Sequence, residues 1–375
     1  MATADRILIV GAGIAGLSLA TALRRRGFAP ELVERSPAWP EAGAGIALHA
    51  NAVRALRALG LGDAIGQASA VVPGWAFLDQ QGGCLCETDL TDLWREVGPC
   101  LGITRARLQE ILVAGASGVP VRLGLAVTDL ACDGRQVTVT FTDGTAGDYD
   151  LVAGADGIHS TVRRLAVSPA PPRYASLMAW RSVIPARPPG LAQLTILTGE
   201  RCFFGLVPMG DGHTYGFAGA GGDRFDEPLA GRLDRFRHRF AGFGDPVPGY
   251  LAGLRCDDQL HFGPIEWVDL DRWHAGRVVL IGDAAHAAPP HMGEGGAMAV
   301  EDAVVLAELL QSAATVSEAL HRYQARRRPR VDWVQEQSRI AAQAWVLPPA
   351  VRDAALRERG DEMLRARYRP LVDVP

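Results

Sequence analysis

Three apolar runs along the chain each end in a glycine-rich turn and then pass into helical spacing. The first, Ile7-Leu-Ile-Val10, reads as a buried parallel strand. It leads into Gly11-Ala-Gly13-Ile-Ala-Gly16 and a helix over 17–26 that closes at Gly27. A second strand, Ala29 to Glu34, follows. The second run, Tyr149 to Ala153, leads through Gly154-Ala-Asp156-Gly157 to a helix start at Thr161. The third, Arg277 to Ile281, leads through Gly282-Asp283 and Gly293-Glu-Gly-Gly296 into a helix over 297–310. Between them the pattern predicts a helix over 51–59 and a strand pair over 72–88 with a turn at 80–83. It then predicts a helix capped by Thr104, with Leu108, Ile111 and Leu112 as its stripe, and strands at 119–123, 126–132 and 136–141.

Ser168-Pro-Ala-Pro-Pro172 marks a change of character. Residues 173–265 read as an antiparallel sheet with strands near 176–184, 193–198, 202–207, 213–219 and 258–264, and one helix near 229–240. Period-two alternation puts His213, Tyr215 and Phe217 on one face of a strand. A helical stretch over 316–344 carries arginines at 326–328 and 330, read as a solvated face, and Pro329, which should kink or split it. The last thirty or so residues read as helical and polar, a cover for the first domain. The expected fold is α/β, a Rossmann-like dinucleotide-binding domain with an inserted antiparallel-sheet substrate domain. The first comprises residues 1–71, 101–170 and 266–345; the second 72–100 and 171–265; and 346–375 form a C-terminal helical segment.

The first glycine turn has the spacing of a dinucleotide site. Gly11 permits the sharp turn, Gly13 lets a pyrophosphate approach the backbone, and Gly16 lets helix and strand pack closely. The helix N-terminus offers N–H groups and a positive dipole end. Glu34 follows Gly11 by 23 residues, close to the spacing of a ribose-binding carboxylate. The small residues from Ala42 to Gly45 suggest another close approach to a ligand.

Composition narrows the rest. At 375 residues, with a net charge of −4, the chain has room for two cores and no charge signal for nucleic acid. No apolar run is long enough for a membrane helix, and the first strand starts too early for a signal peptide, so a cytoplasmic location is expected. Six cysteines lack paired CxxC spacing, so reduced structural thiols and no metal site are expected. There is no lysine among the 38 basic residues, which excludes Schiff-base and lysine general-base chemistry.

Taken together, GAGIAG at 11–16, AGADGIHSTVR at 153–163 and IGDAAHAAPPHMGEGG at 281–296, with Glu301-Asp-Ala303 after it, resemble the single-component FAD-dependent aromatic hydroxylases, the para-hydroxybenzoate and salicylate hydroxylase family. The resemblance runs to about residue 345. It implies FAD held by Gly11, Gly13, Ile14, Ala15, Gly16, Glu34, Arg35, Gly45, Ile46, Arg105, Val127, Asp156, Gly157, Gly282, Asp283, Gly293, Gly295 and Gly296. It also departs from the family. Ala50-Asn51 replaces Pro-Asn, Glu294 replaces a glutamine, and Ala297 replaces an asparagine. An inward-pointing Glu294 would put negative charge beside the flavin ring.

The activity implied is a monooxygenase. NADH or NADPH, bound transiently, reduces the flavin, O2 adds to it, and the resulting C4a-hydroperoxide hydroxylates a small aromatic or heteroaromatic substrate. The resemblance places Pro290 on the oxygen side of the flavin and substrate contacts at His213 and Tyr215, either of which would orient or deprotonate a substrate hydroxyl. Phe203, Phe217, His49 and His291 are further candidates for the substrate cavity, whereas Trp180-Arg181, His159 and His286 read as scaffold. Without a lysine, a halogenase of related fold is excluded. Epoxidation, Baeyer–Villiger oxidation, a reductase or cyclase, and a non-enzymatic flavin-binding module remain as alternatives. No membrane or nucleic-acid partner is expected, and the protein should be a monomer or homodimer.

Overall fold

The computed structural model describes residues 4–39 and 44–375, so Ala42 and Gly43 lie outside the described residues. The fully buried run Ile7–Val10 lies inside a six-stranded sheet. The strand order is His274–Ala275, Val278–Leu280, Leu151–Gly154, Ile7–Val10, Pro30–Glu34 and Val121–Leu123. All neighbours are parallel except the first pair. Val10 pairs with Gly154, and Gly154 with Leu280. The three glycine turns therefore leave the same edge of the sheet side by side, at the carboxyl ends where open α/β sheets bind ligands. Helices Ile14–Arg25 and Gly295–Ser312 pack together against this sheet.

The run expected as one strand at 149–153 is two. Tyr149 ends the three-stranded sheet of Val127–Cys132, Val137–Phe141 and Ala146–Tyr149, and Leu151 begins the parallel strand. Asp150 makes the break, its carboxylate accepting the N–H groups of Asp5 and Arg6 at 2.9 Å each.

A seven-stranded sheet stands over the parallel one, in the order His261–Trp267, Arg173–Ile184, Thr214–Gly221, Cys202–Pro208, Leu194–Thr198, Gly74–Asp79 and Cys84–Asp89. Its two faces differ by one residue of register. Trp180, Phe204, Leu206 and Ala218 point outward into a core closed by Phe236 and Phe240 of helix Arg232–Phe240. Phe203, Leu177, Ala179 and Ile196 point the other way, into the core shared with the parallel-sheet half.

Two expectations about the C-terminal third need correcting. Helix Val316–Ala344 is not split at Pro329, although proline there removes the N–H that would meet the Ala325 carbonyl and crowds that carbonyl. The terminal helix Pro349–Tyr368 packs along the edge strand Cys84–Asp89 of the upper sheet, and its last turn also meets the long helix, where the Arg367 carbonyl accepts from Trp333 Nε1 at 3.1 Å. Close approach is possible because Gly360 faces Cys86; a Cβ there would stand 2.5 Å from its Sγ. Beyond the helix the tail reaches Arg54, which donates to the Val372 and Asp373 carbonyls at 2.6 Å each.

Candidate active site

The first glycine turn is a cradle with an open side. Gly11 has φ +105°, and a Cβ on it would meet the Ala155 carbonyl oxygen at 2.5 Å, so it locks the first turn against the second. Gly13 is exposed, and a Cβ on it would meet nothing within 4 Å. It caps helix Ile14–Arg25, and among the described residues no side-chain acceptor is bonded to the helix's first N–H groups. Open backbone at a helix N-terminus, with no Cβ in the way, fits a pyrophosphate. Gln109 braces the turn from below, its side-chain amide donating to the Ala12 carbonyl at 2.8 Å.

Glu34 does more than the ribose role expected of it. One carboxylate oxygen accepts the Ala12 N–H at 2.8 Å and the other the Ser36 N–H at 2.9 Å, so it fixes the turn's shape. Arg35 beside it is exposed. Asp156 likewise is spent on its own turn, accepting from the Ser160 hydroxyl at 2.5 Å and the Thr161 N–H at 2.7 Å. Burial raises its pKa against these donors. Gly157 has φ +78° and open space where a Cβ would stand.

Asp283 and Gly295 are exposed, with the Asp283 carboxylate 3.8 Å from where a Gly295 Cβ would be. Gly296 lies against Ile46, and Gly282 against Ala15. Pro290 is exposed at the start of the loop. Arg105 is exposed at the head of helix Arg105–Gly115, its N–H donating to the Ala44 carbonyl at 2.8 Å. Val127 is buried at 5 % exposure in the small sheet, so its side chain belongs to the core.

Above the cradle, Tyr215, Phe217 and Phe203 form a continuous aromatic wall, with ring centroids 5.6 and 6.1 Å apart. Glycines make room for the rings. Phe217 lies over Gly205, its partner across the strands, and Phe203 over Gly219. Tyr215 lies against Gly45, where a Cβ would stand 2.4 Å from its own. His291 continues the wall from the loop below, 6.3 Å from Phe203, and Trp345 caps it, 4.7 Å from Phe203. Trp345 carries no motif, and only the folded chain brings it here. His213 stands apart from this wall. It precedes strand Thr214–Gly221 and closes the turn Gly210–Gly212.

Two groups on the wall have shifted acidity. Burial raises the Tyr215 phenol, opposed by the nearby Arg181 and Arg105 guanidinium groups. The Trp180-Arg181 pair thus divides. Trp180 serves the outer core, while Arg181, opposite Phe217 in the strand register, serves the wall. Burial, with Arg367 nearby, lowers His291 from 6.5 to about 4. His291 is therefore neutral near pH 7, and among the described residues its buried Nδ1 has no hydrogen-bond partner.

The linkage has a definite sign. Between about 4 and 6.5 the unfolded chain binds a proton at this histidine that the folded one does not, so folding stability is lost as pH falls through that window. His291→Phe should therefore show a shallower loss of melting temperature from pH 6.5 to 4.5 than the parent. Parallel melting curves would contradict this.

Behind the loop lies a buried chain of charge that sequence reading missed. Glu294 is 1 % exposed, with one carboxylate oxygen 2.8 Å from His49 Nδ1 and the other accepting from the Asn51 amide at 2.9 Å. His49 is buried between Trp75 and Tyr368 at 5.8 and 4.8 Å, beneath Gly293. Tyr368 fixes the same loop through its hydroxyl, which donates to the Met292 carbonyl at 2.9 Å. Glu294 is thus turned toward His49 and Asn51.

The arginine run is only partly a solvated face: Arg326 is exposed, whereas Arg327 and Arg330 are turned inward. Arg327 has no exposed surface and donates to Asp302 and Glu301 at 2.7 Å each, while Arg330 binds Glu301 through two nitrogens at 2.9 Å. His286 meets Asp302 at 2.6 Å, which makes it part of this framework. The signal was present in the sequence, because Leu320, Tyr323, Arg327, Val331 and Val334 form one helical stripe.

A dinucleotide cradle roofed by an aromatic sheet defines a flavin-dependent oxygenase, and comparison with known proteins agrees. The model of an FAD-binding domain matches residues 5–213 and 265–338. The chain is 37 % identical over 331 residues to the aurachin C monooxygenase/isomerase of Stigmatella aurantiaca, covering 87 % of this chain and 85 % of that one. It is 34 % identical over 341 residues to an FAD-dependent urate hydroxylase of Klebsiella pneumoniae, covering 87 % and 86 %. The crystal structure of Klebsiella pneumoniae HpxO with FAD and uric acid superposes with a TM-score of 0.91 at 28 % identity, covering 99 % of this chain and 97 % of that one. The chain belongs to the FAD-binding class A flavin monooxygenase family. It is an FAD-dependent monooxygenase that hydroxylates an aromatic or heteroaromatic substrate. No helix of the described residues is long and apolar enough to cross a membrane.

Proposed function

We propose that this enzyme hydroxylates an uncharged planar ring held against Phe203, Phe217 and Tyr215, with NADH or NADPH as the reductant. The wall itself is the observation that carries the reading: three aromatic side chains from two neighbouring strands on one face of the sheet, with Tyr215 against Gly45. FAD, when bound, supplies the oxygen-transfer chemistry. The chain's own residues bind, orient and shield. Gly13 and the first N–H groups of helix Ile14–Arg25 would hold the pyrophosphate, and Asp283 the ribityl chain. Phe203 and Phe217 offer ring faces for stacking.

Tyr215, kept protonated by burial, donates its phenolic hydrogen to a substrate oxygen or nitrogen, and the positive charge of nearby Arg181 and Arg105 polarises the phenol for that donation. Neutral His291 presents a second polar contact at the wall's edge. Trp345 over Phe203 keeps water from that side. Tyr215, whose ring packs on Phe217, is the preferred orienting group, and His213 sits at the turn that precedes the strand.

The test is NAD(P)H oxidation and oxygen uptake by the FAD-loaded enzyme across phenols, N-heterocycles and fused aromatics. Ring-stimulated turnover with a product one oxygen heavier supports the reading. Reduction without an oxygenated product favours a reductase or cyclase and overturns it. Tyr215→Phe should lower kcat/KM on the order of a hundredfold with FAD content unchanged.

A further inference from the structure

The third glycine turn is open in front and held from behind. Gly295 is exposed, and helix Gly295–Ser312 begins there with no side-chain cap on its first N–H groups among the described residues. Behind the turn stands Tyr368, which has no exposed surface. Its ring packs on His49, Trp75 and Trp94, with ring centroids 4.8, 5.8 and 6.4 Å away. Its hydroxyl donates to the Met292 carbonyl at 2.9 Å. The next residue, Gly293, has φ +67° and turns the chain toward the helix. His49, against the same tyrosine, fills the space beneath it, and a Cβ on Gly293 would stand 3.0 Å from the imidazole.

The backbone on both sides of Tyr368 is clamped through its carbonyls. Trp333 donates to that of Arg367 at 3.1 Å, Arg330 to those of Pro370 and Leu371 at 3.0 and 2.8 Å, and Arg54 to those of Val372 and Asp373 at 2.6 Å each. Arg330 also leads back to the turn. It binds Glu301 through two nitrogens at 2.9 Å, and Glu301 accepts from the Asn51 amide at 3.3 Å. The same amide nitrogen donates to Glu294, at the head of helix Gly295–Ser312, at 2.9 Å. The residues around Tyr368 and the glycine turn therefore share one framework, directly through the Tyr368 hydroxyl and again through Arg330, Glu301 and Asn51.

We propose that Tyr368 is a positioning residue of the oxygenase. Through Met292 it sets where the amides of Gly293–Gly296 and the N-terminal end of helix Gly295–Ser312 stand against the flavin, and the clamped residues 370–373 keep it in place. This role rests on the reading that the third glycine turn faces FAD, which the exposed Gly295 beside Asp283 fits. FAD gains negative charge when it is reduced. A helix N-terminus stabilises negative charge only close to its first turn. A displaced turn therefore costs the reduced cofactor more than the oxidised one.

The test compares FAD-loaded Tyr368→Phe with the parent. Phenylalanine keeps the ring among His49, Trp75 and Trp94 and removes only the hydroxyl. Binding of reduced FAD should weaken on the order of tenfold more than binding of oxidised FAD, which lowers the flavin potential by about 30 mV in an anaerobic dye-equilibrated titration. Trp333→Phe, which frees the Arg367 carbonyl without changing any charge, should move the potential the same way by less. Should Tyr368→Phe not fold, this second variant carries the test. Leu356→Ala, about three turns earlier in the same helix, is the structural control. It should lower the melting temperature and leave the potential where it was. An unmoved potential in the folded Tyr368→Phe or, failing that, Trp333→Phe variant overturns the proposal. So does a Leu356→Ala variant that shifts it as far, which would make the shift a general response to lost stability. Gly295→Ala tests the reading beneath this one, because its methyl group would have only the Asp283 carboxylate within 4 Å, at 3.8 Å. If it leaves FAD affinity and potential unchanged, the turn does not face the cofactor and both readings fail; if it moves them and Tyr368→Phe does not, only this one fails.

Discussion

Arg327→Met should destabilise the protein by about 3–5 kcal/mol, read as a fall in the urea midpoint at pH 7. The side chain is fully buried and is held on three sides: Nε to Asp302 and Nη1 to Glu301 at 2.7 Å, and Nη2 to the Met298 carbonyl at 3.3 Å. Removing it leaves two carboxylates in the core with one cation fewer. Glu301 keeps Arg330, but Asp302 keeps only His286 and the Gly282 N–H. Burial alone would raise the Asp302 pKa, yet His286 and Arg327 outweigh it and bring the group down to about 2.

The sign of the linkage follows. The contribution of Asp302 is present above its ordinary value of 3.8 and is lost as pH falls toward about 2. In the methionine variant that loss should begin at higher pH. Arg327→Lys keeps a charge but cannot span both carboxylates, so it should recover only part of the stability. The damage should also reach the cofactor, because Asp302 holds the N–H of Gly282 at the head of the third glycine turn. A methionine variant within about 1 kcal/mol of the parent would mean that the buried pair is close to neutral against an apolar replacement, as some buried ion pairs are.

Arg327 also shows where sequence reading stops. A glycine turn is legible because its cause is local, and the jobs of Gly11 and Gly16 follow from a strand that must turn and a helix that must pack. The wall was legible for a similar reason, since period two alone puts Tyr215 and Phe217 on one face. His213 is the extended residue that closes the turn just before the strand begins at Thr214. The buried arginine was misread because four neighbouring arginines suggest solvent, although its place in the apolar stripe argued otherwise. Arg181, Trp345 and Tyr368 had no local sign at all. Arg181 meets the wall through strand register, and the other two arrive from the C-terminal third by packing. Glu34 was found by spacing, but its bond to the Ala12 N–H depends on the tertiary position of the turn.

Gly13→Ala should fold as the parent does and lose FAD, whereas Gly16→Ala should fail to fold. At Gly13 the backbone has φ −83° and ψ −166°, which alanine adopts without strain, and its Cβ would meet nothing within 4 Å. The melting temperature of the apo variant should therefore match the parent's. What the methyl group does meet is the pyrophosphate, and we expect FAD affinity to fall on the order of a hundredfold, about 2.7 kcal/mol. Gly16 is the opposite case, because a Cβ there would stand 1.8 Å from the Gly11 carbonyl oxygen, and backbone cannot give way by that much inside the first strand–helix unit. The pair separates two uses of glycine within one motif, room for a ligand and room for the chain itself. Fluorescence titration of apo protein with FAD, beside thermal melts of the same samples, reads both. A Gly13→Ala variant that binds FAD like the parent would place the phosphates away from this turn, and the third glycine turn with Asp283 would then have to carry the cofactor.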